Sequence, residues 1–372
     1  MFITGDKLVS IIEGFAPPAY ALPGDVTGLQ WGDLRREAQA VLFALDFSDE
    51  VLDEALEREA SFIFTHHPYL FQPLRNLDLQ KPREKLIARA LAADVALYSA
   101  HTNLDVAKGG VNDVLAGLLA LENVEILEIT GGEELEKLVV FVPLGFEDRV
   151  RDALAGAGAG WIGNYSHCTW QVPGTGTFLP GVGAEPFIGS EGRLEKVEEY
   201  RLETIFPVSR RGEVVGALLA VHPYEEVAYD LYPLSRRGET RGLGRVGELT
   251  AANTLRDLAV RLKGLLGAET LRVHGDLEST VKKIAILGGS GGDYIEMAAG
   301  RGADAFITGD IKYHQAQQAA LNGLALIDAG HDTSEWPVIP ALAAFLREQM
   351  HLNGFQTKIL ISEVRKKMWH YL

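Results

Sequence analysis

A chain of 372 residues is too long for one ordinary hydrophobic core, so two or three domains are expected. An apolar content of 47% with 23% charged residues is that of a soluble globular protein, and a net charge of −16 disfavours nucleic acid or anionic membrane, which need clustered Lys and Arg. The single cysteine, Cys168, excludes an intrachain disulfide or thiolate cluster and makes a reducing cytoplasm the simplest compartment, while no stretch reaches the roughly 18 apolar residues of a membrane span.

The amino-terminal segment spaces Leu8, Ile11, Ile12 and Phe15 along one helix face, stops at Pro17-Pro18, and lacks the apolar core of a signal peptide. A candidate edge strand at 28–32 and a stronger strand at 40–46 precede a helix at 49–59. The strand 62–64 ends in His66-His67. Pro68 holds His67 extended and stops the ladder, so two imidazoles stand at a strand mouth, where open α/β sheets bind ligands. A helix at 83–93, a strand at 95–100 running into His101-Thr-Asn-Leu-Asp105, and a helix at 112–121 continue an alternation that predicts a parallel sheet.

The middle changes character. Strand 135–143, helix 147–155, strand 165–172, a Gly- and Pro-rich loop, strand 196–206, helix 208–221 and strand 228–234 follow the order βαββαβ. That order is the ferredoxin-like plan, a compact unit with neighbouring ends that a host domain can accept as an insertion. Trp161 and Trp170 are expected to pack inside it, and 235–244, with three Arg and three Gly, is the expected return linker.

The α/β pattern then resumes: helix 255–266, strands 270–273 and 282–287, helix 293–300, strand 305–308, helix 315–322, strand 324–329, a helix reaching 349 and bent near Pro340, and strand 357–361. Gly288-Gly-Ser-Gly-Gly292 is a tight turn or a backbone cradle for phosphate, without the Gly-Lys-Ser/Thr of a P-loop. This half mirrors the first. Phe62-Ile-Phe-Thr65 before His66 matches Ala305-Phe-Ile-Thr308 before Gly309-Asp310, and 95–100 before His101-x-x-x-Asp105 matches 324–329 before His331-x-x-x-Glu335. The domains are then 1–130 and 241–372, two mirrored α/β halves, and an inserted 131–240.

His66, His67, Asp105, His331 and Glu335 form a nitrogen-and-oxygen ligand set suited to Zn, Fe or Mn, and five ligands exceed the needs of one open catalytic ion. His101 is either a further ligand or the partner that orients Asp105. His314 is a catalytic acid, a substrate contact or a rim residue. No organic cofactor is called for.

Thr65-His-His-Pro68, His101-Thr-Asn-Leu-Asp105, Thr308-Gly-Asp310 and Gly330-His-Asp-Thr-Ser-Glu335 resemble the motifs of the Nif-three-like family, the GTP cyclohydrolase 1 type 2 homologues. The segment His222-Pro-Tyr-Glu-Glu-Val-Ala-Tyr-Asp230 is similar to the CutA- and PII-type insert of its longer bacterial members. The resemblance spans nearly the whole chain. It implies one α/β Nif-three-like domain interrupted by the ferredoxin-like insert, and two divalent ions on His66, His67, Asp105, His331 and Glu335, with Glu335 touching both. It further implies a homohexamer whose sites face an internal cavity that the insert caps. The implied activity is a metal-dependent hydrolase in which activated water attacks a purine nucleotide such as GTP. Glu335 or His314 would then move protons, and Lys312, Arg236, Arg237 and Arg241 are candidates for the triphosphate. The alternative is a metal-loaded hexamer whose insert binds a metabolite or protein and regulates without turning over GTP. One departure is Gly24-Asp25-Val26, where the family often has Trp-Asp-Asn; it touches an early loop and leaves every ligand in place.

Overall fold

A computed structural model describes residues 1–365 and 368–369. The chain divides into two compact units, one formed by 1–131 with 241–372 and the other by 132–240. Among the described residues no helix is long and apolar enough to cross a membrane.

The first unit contains a five-stranded sheet in the order Lys358–Ile361, Ala40–Ala44, Ala60–Thr65, Ala96–Ser99, Gly28–Trp31. The first four are parallel and the edge strand Gly28–Trp31 is antiparallel. Ala40–Ala44 is buried at every position, which is why its sequence is a continuous apolar run. Alternate side chains serve two cores: Leu42, Ile63 and Leu97 pack with Leu52, Leu86 and Ile87, while Val41, Phe43 and Phe64 face the other way. The helix Asp49–Glu57 starts where Ser48 Oγ accepts from Val51 N–H at 3.3 Å, with Asp49 and Glu50 at its positive end.

In this unit the second sheet places Arg272–His274, Ala325–Asp328, Ala305–Gly309 and Thr280–Ser290 side by side, followed by residues 241–254 of the strand Tyr229–Thr254. Only its three central strands are parallel. The expected parallel sheet and its mirror are thus two mixed sheets, each parallel at its centre and closed by an antiparallel edge. One core runs between them, with Val41, Phe43 and Phe64 on one side and Ile284, Ile286 and Ile307 on the other, and with Leu8, Ile12, Leu258, Leu342 and Leu346 of the intervening helices filling it.

The second unit follows the order strand, helix, strand, strand, helix, strand, with Glu147–Gly156 and Arg211–Val221 as the helices. Its strands lie in the order Tyr229–Thr254, Glu122–Pro143, Glu195–Pro207, Thr169–Phe178. Leu138, Val140, Val142, Leu202 and Phe206 pack against Val150, Leu154, Val214 and Leu218 of the two helices.

Several expectations are corrected. Residues 235–244 do contain the return from the second unit to the first, between 240 and 241, but as part of the strand Tyr229–Thr254 and not as a loop, because a ladder needs only backbone groups and the Arg and Gly side chains do not obstruct it. Trp161 and Trp170 are exposed, not packed. The helix that was to bend near Pro340 is two helices, His331–Glu335 and Val338–Leu352, and Pro340 sits in the first turn of the second, where its missing N–H costs nothing. A short helix, Thr102–Val106, to which the sequence reading assigned no element, carries Asp105.

Candidate metal centre

The strand Ala60–Thr65 ends by turning its next two amides onto one acceptor: His66 N–H and His67 N–H both donate to the Leu45 carbonyl, at 3.2 and 3.0 Å. Thr65 Oγ1 donates to the His67 carbonyl at 2.8 Å and so fixes the departing chain. Two imidazoles therefore leave the mouth in defined directions, with ring centroids 5.0 Å apart. The neighbouring strand Ala96–Ser99 delivers His101 and then Asp105 on Thr102–Val106. From the second sheet, Ala325–Asp328 leads into His331–Glu335, whose first and last residues share one face.

All four imidazoles are tied through Nδ1. His66 donates to the Ala100 carbonyl at 2.8 Å, His67 to Asp46 Oδ1 at 2.8 Å, His101 to Asp25 Oδ1 at 2.7 Å and His331 to Asp310 Oδ2 at 2.8 Å. A hydrogen bond at Nδ1 selects the tautomer whose Nε2 carries a lone pair, which is the arrangement metal-binding histidines adopt. Asp310 reaches His331 from a left-handed backbone, φ 56°, directly after the strand Ala305–Gly309.

The inward-facing atoms converge. His66 Nε2 lies 3.6 Å from both Asp105 Oδ1 and Glu335 Oε1, and Glu335 Oε2 lies 2.9 Å from His67 Nε2 and 3.3 Å from His331 Nε2. Three groups of potential ligand atoms overlap here: His66, Asp105 and Glu335; His67, His331 and Glu335; and His66, His67 and His101, with the atoms of each group within 4.8 Å of one another. His66 Nε2, His67 Nε2, Asp105 Oδ1 and Glu335 Oε2 are buried and without a hydrogen bond, although Glu335 Oε2 approaches His67 Nε2 to 2.9 Å. Leaving a buried polar atom unsatisfied costs about 1–3 kcal/mol each, and four of them together rival a domain's entire net stability of about 5–15 kcal/mol. Such a cluster could hold a metal cation.

The electrostatics agree. Burial disfavours a charged His67, but Asp46 and Glu335 outweigh it and raise its pKa to about 10. Glu335 raises His331 to about 9 against burial, with help from Asp310. Burial lifts Asp105 to about 6, whereas Glu335, which burial would also raise, is pulled well below the usual carboxylate range by the surrounding imidazoles. Burial also works against Asp25, but His101 and Thr102 hold it at about 2.

The glycine loop 288–292 is a support for this cluster. Gly288 N–H donates to Asn112 Oδ1 at 3.0 Å and Gly289 N–H to Ser334 Oγ at 2.9 Å, so these two amides are already committed. Gly289 has φ 72°, and a Cβ there would come within 2.2 Å of Glu335 Oε1. Only glycine fits beside that carboxylate.

His314 is not brought in: it is exposed on Tyr313–Leu321, with Nδ1 2.9 Å from Gln317 Oε1, outside all three groups. Lys312 is likewise exposed, Arg237 pairs with Glu134 at 2.9 Å, and Arg241 lies over the Tyr20 ring at 4.4 Å. Sequence reasoning missed the roles of Asp25 and Asp46. The available signal was a carboxylate ending the predicted strand at 40–46, at the same edge as His66; Asp25 lay in the loop that departs from the family pattern.

Residues 3–368 match the Duf34/NIF3 (NGG1p interacting factor 3) family. A Bacillus subtilis (strain 168) protein named GTP cyclohydrolase 1 type 2 homolog is 46% identical over 329 residues, 88% of each chain. A protein of the same name from Halalkalibacterium halodurans is 46% identical over 331 residues, 89% of each chain. Among solved structures, a Bacillus cereus protein related to NIF3 has a TM-score of 0.88 and 43% identity, with 100% of both chains covered.

Proposed function

The chain belongs to the Duf34/NIF3 family, and from that premise we propose that it is a metal-dependent hydrolase with two divalent ions, acting on a purine nucleotide such as GTP. The observation that carries this reading is the convergence of four buried, unsatisfied ligand-type atoms, on His66, His67, Asp105 and Glu335. In this reading His66, His67, Asp105, His331 and Glu335 would hold the ions, with Glu335 as the residue common to two of the candidate groups. Its support is that two of the candidate groups share Glu335 and that the donor set is nitrogen and oxygen only, which suits Zn, Fe or Mn. Two such ions, when bound, supply Lewis acidity that makes a water nucleophilic near neutral pH and offsets developing negative charge.

The chain's own residues then hold the geometry. Asp46, Asp310 and the Ala100 carbonyl keep the imidazole planes fixed. His101, oriented by Asp25, is the group placed to hold or pass a proton at Nε2. Glu335 acts as the shared ligand, and His314, outside the cluster, is left as a contact for substrate reaching its helix. The second unit is proposed to be ferredoxin-like, supported by its strand order of fourth, first, third, second. A homohexamer accompanies this reading and is checked by sedimentation.

The test is formate release from GTP by metal-loaded protein, wild type beside Glu335→Ala. Ring opening at C8 followed by hydrolysis releases formate, so formate from wild type alone supports the proposal. Phosphate without formate would move the chemistry to a phosphoesterase; neither product would remove GTP as substrate.

A further inference from the structure

The segment beginning at His222 takes no part in the metal centre, yet the second unit builds a cavity around it. The cavity measures about 440 Å³, within the roughly 300–1,000 Å³ of small-molecule sites. Phe178, Phe187 and Tyr224 line it, with the Tyr224 ring centroid 6.2 Å from that of Phe178 and 6.4 Å from that of Phe187. Phe146 supports Phe187 edge-on at 5.6 Å.

Into these rings the strand Glu195–Pro207 places a carboxylate. Glu199 is 7% exposed and lines the cavity. Its Oε1 accepts from the Tyr224 hydroxyl at 2.9 Å, and burial together with Glu199 keeps that phenol protonated as the donor. Its Oε2 lies against Gly176, where a Cβ would come within 2.2 Å. Among the described residues no Lys or Arg lines the cavity, and the exposed Glu225 and Glu226 add negative charge at its edge.

His222 fixes this arrangement. Its Nε2 donates to the Phe141 carbonyl at 3.0 Å and its Nδ1 accepts from Tyr224 N–H at 3.2 Å, which locks a neutral imidazole behind the tyrosine. Burial lowers its pKa, against the pull of Phe141 and Glu199.

Glu199 is unlike two other carboxylates of this unit, the buried Glu136 and the partly buried Glu203. Glu136 is paired with Arg211, whose Nε is 2.9 Å from Oε2, and Glu203 is held by Lys137 at 2.8 Å and Arg201 at 3.0 Å. A buried carboxylate with one neutral donor and aromatic faces around it is stabilised by a cation that also carries apolar surface. The same charge rejects nucleotides and other anions.

We propose that this cavity binds a small organic cation, an ammonium or methylated ammonium on an aromatic or branched apolar body, with Glu199 as its counter-charge and Phe178, Phe187 and Tyr224 as its walls. The site stands apart from the metal reading and does not depend on it.

Calorimetric titration of the full chain with 2-phenylethylammonium, 2-phenylethanol and phenylacetate tests it. The ammonium binds, the alcohol binds at least about tenfold more weakly, and the carboxylate gives no signal, because a desolvated cation over aromatic faces with a charged partner is worth more than one factor of ten. Glu199→Gln keeps an acceptor for Tyr224 and removes the preference for the ammonium; Gly176→Ala, which displaces the carboxylate, weakens the ammonium while leaving the alcohol within a few-fold. Unchanged melting of both variants, followed by circular dichroism, shows that the losses are not unfolding. The proposal is overturned if the alcohol binds as tightly as the ammonium, if Glu199→Gln leaves the preference intact, or if neither 2-phenylethylammonium nor benzyltrimethylammonium binds saturably.

Discussion

Two pairs of strand mouths in the first unit bracket the candidate metal centre, and they are used differently. Ala60–Thr65 pairs with Ala96–Ser99 in register Thr65↔Ser99, and Ala305–Gly309 pairs with Ala325–Asp328 in register Thr308↔Asp328. The first pair delivers four inward-facing side chains, His66, His67, His101 and Asp105. The second delivers only His331 and Glu335, and its other mouth gives Gly309-Asp310 where the first gives His66-His67. A Cβ at Gly309 would come within 2.7 Å of the Gly289 carbonyl and of His331 N, so that mouth is packed shut and its aspartate acts as a brace for His331. A repeated scaffold has thus been used once to supply ligand atoms and once to hold them in place.

Crowding Glu335 from the glycine loop beside the second pair has the largest expected effect. Gly289→Ala puts a methyl group onto Glu335 Oε1 and forces a left-handed φ on a non-glycine residue. We expect metal affinity to fall by more than about 100-fold and stability by about 1–3 kcal/mol, followed by chelator competition and denaturant melts. If Gly289→Ala binds metal as tightly as wild type, Glu335 is not held by that loop.

Removing single braces should cost less. Asp46→Asn and Asp310→Asn each replace the acceptor for one Nδ1–H of a proposed ligand by a weaker one, with an expected loss of about 10–100-fold in metal affinity. The ranking separates the two mouths: Asp46, the less exposed, should matter more and Asp310, the more exposed, less, whereas Asp25→Asn, which frees the proton-carrying His101, should lower turnover and leave metal affinity within a few-fold. An equal or reversed order would mean that the braces are interchangeable.

The smallest effect is a pH dependence. In the metal-free protein the pKa of His67 is raised to about 10 and that of His331 to about 9, above the roughly 6.5 of an unfolded histidine. Their protonated pairing with carboxylates stabilises the metal-free fold fully below pH ~6.5 and is lost as pH rises through about 9 and then 10. A metal ion must displace those protons, so its affinity should rise steadily from pH 6 to 8, with protons released on binding, measured by titration in weakly buffered solution. A pH-independent affinity would show that these imidazoles are not ligands.

The convergence of these side chains was largely legible in the sequence because residues that directly follow apolar strand runs stand at strand mouths. Phe62–Phe64 before His66-His67, and the i,i+4 spacing of His331 and Glu335, both announce themselves by period and position. The braces were not legible, since Asp25 lies 76 residues from His101 in the chain and Asp46 lies 21 from His67, and only the sheet order brings them together. The strand through 235–244 escaped for another reason: its Arg and Gly side chains carry turn chemistry, whereas the ladder is made by backbone groups that composition does not report. The exposed Trp161 and Trp170 show the limit of assigning large aromatics to a core by type alone.

The most direct test of the central claim is elemental analysis of the purified chain after exposure to Zn, Mn and Fe(II), wild type beside the His66→Ala, Glu335→Ala double variant. The account predicts two divalent ions per wild-type chain and none held by the variant. A wild type that retains no ion under any of these conditions would contradict it, because the four unsatisfied atoms of His66, His67, Asp105 and Glu335 would then have to be stabilised without a metal.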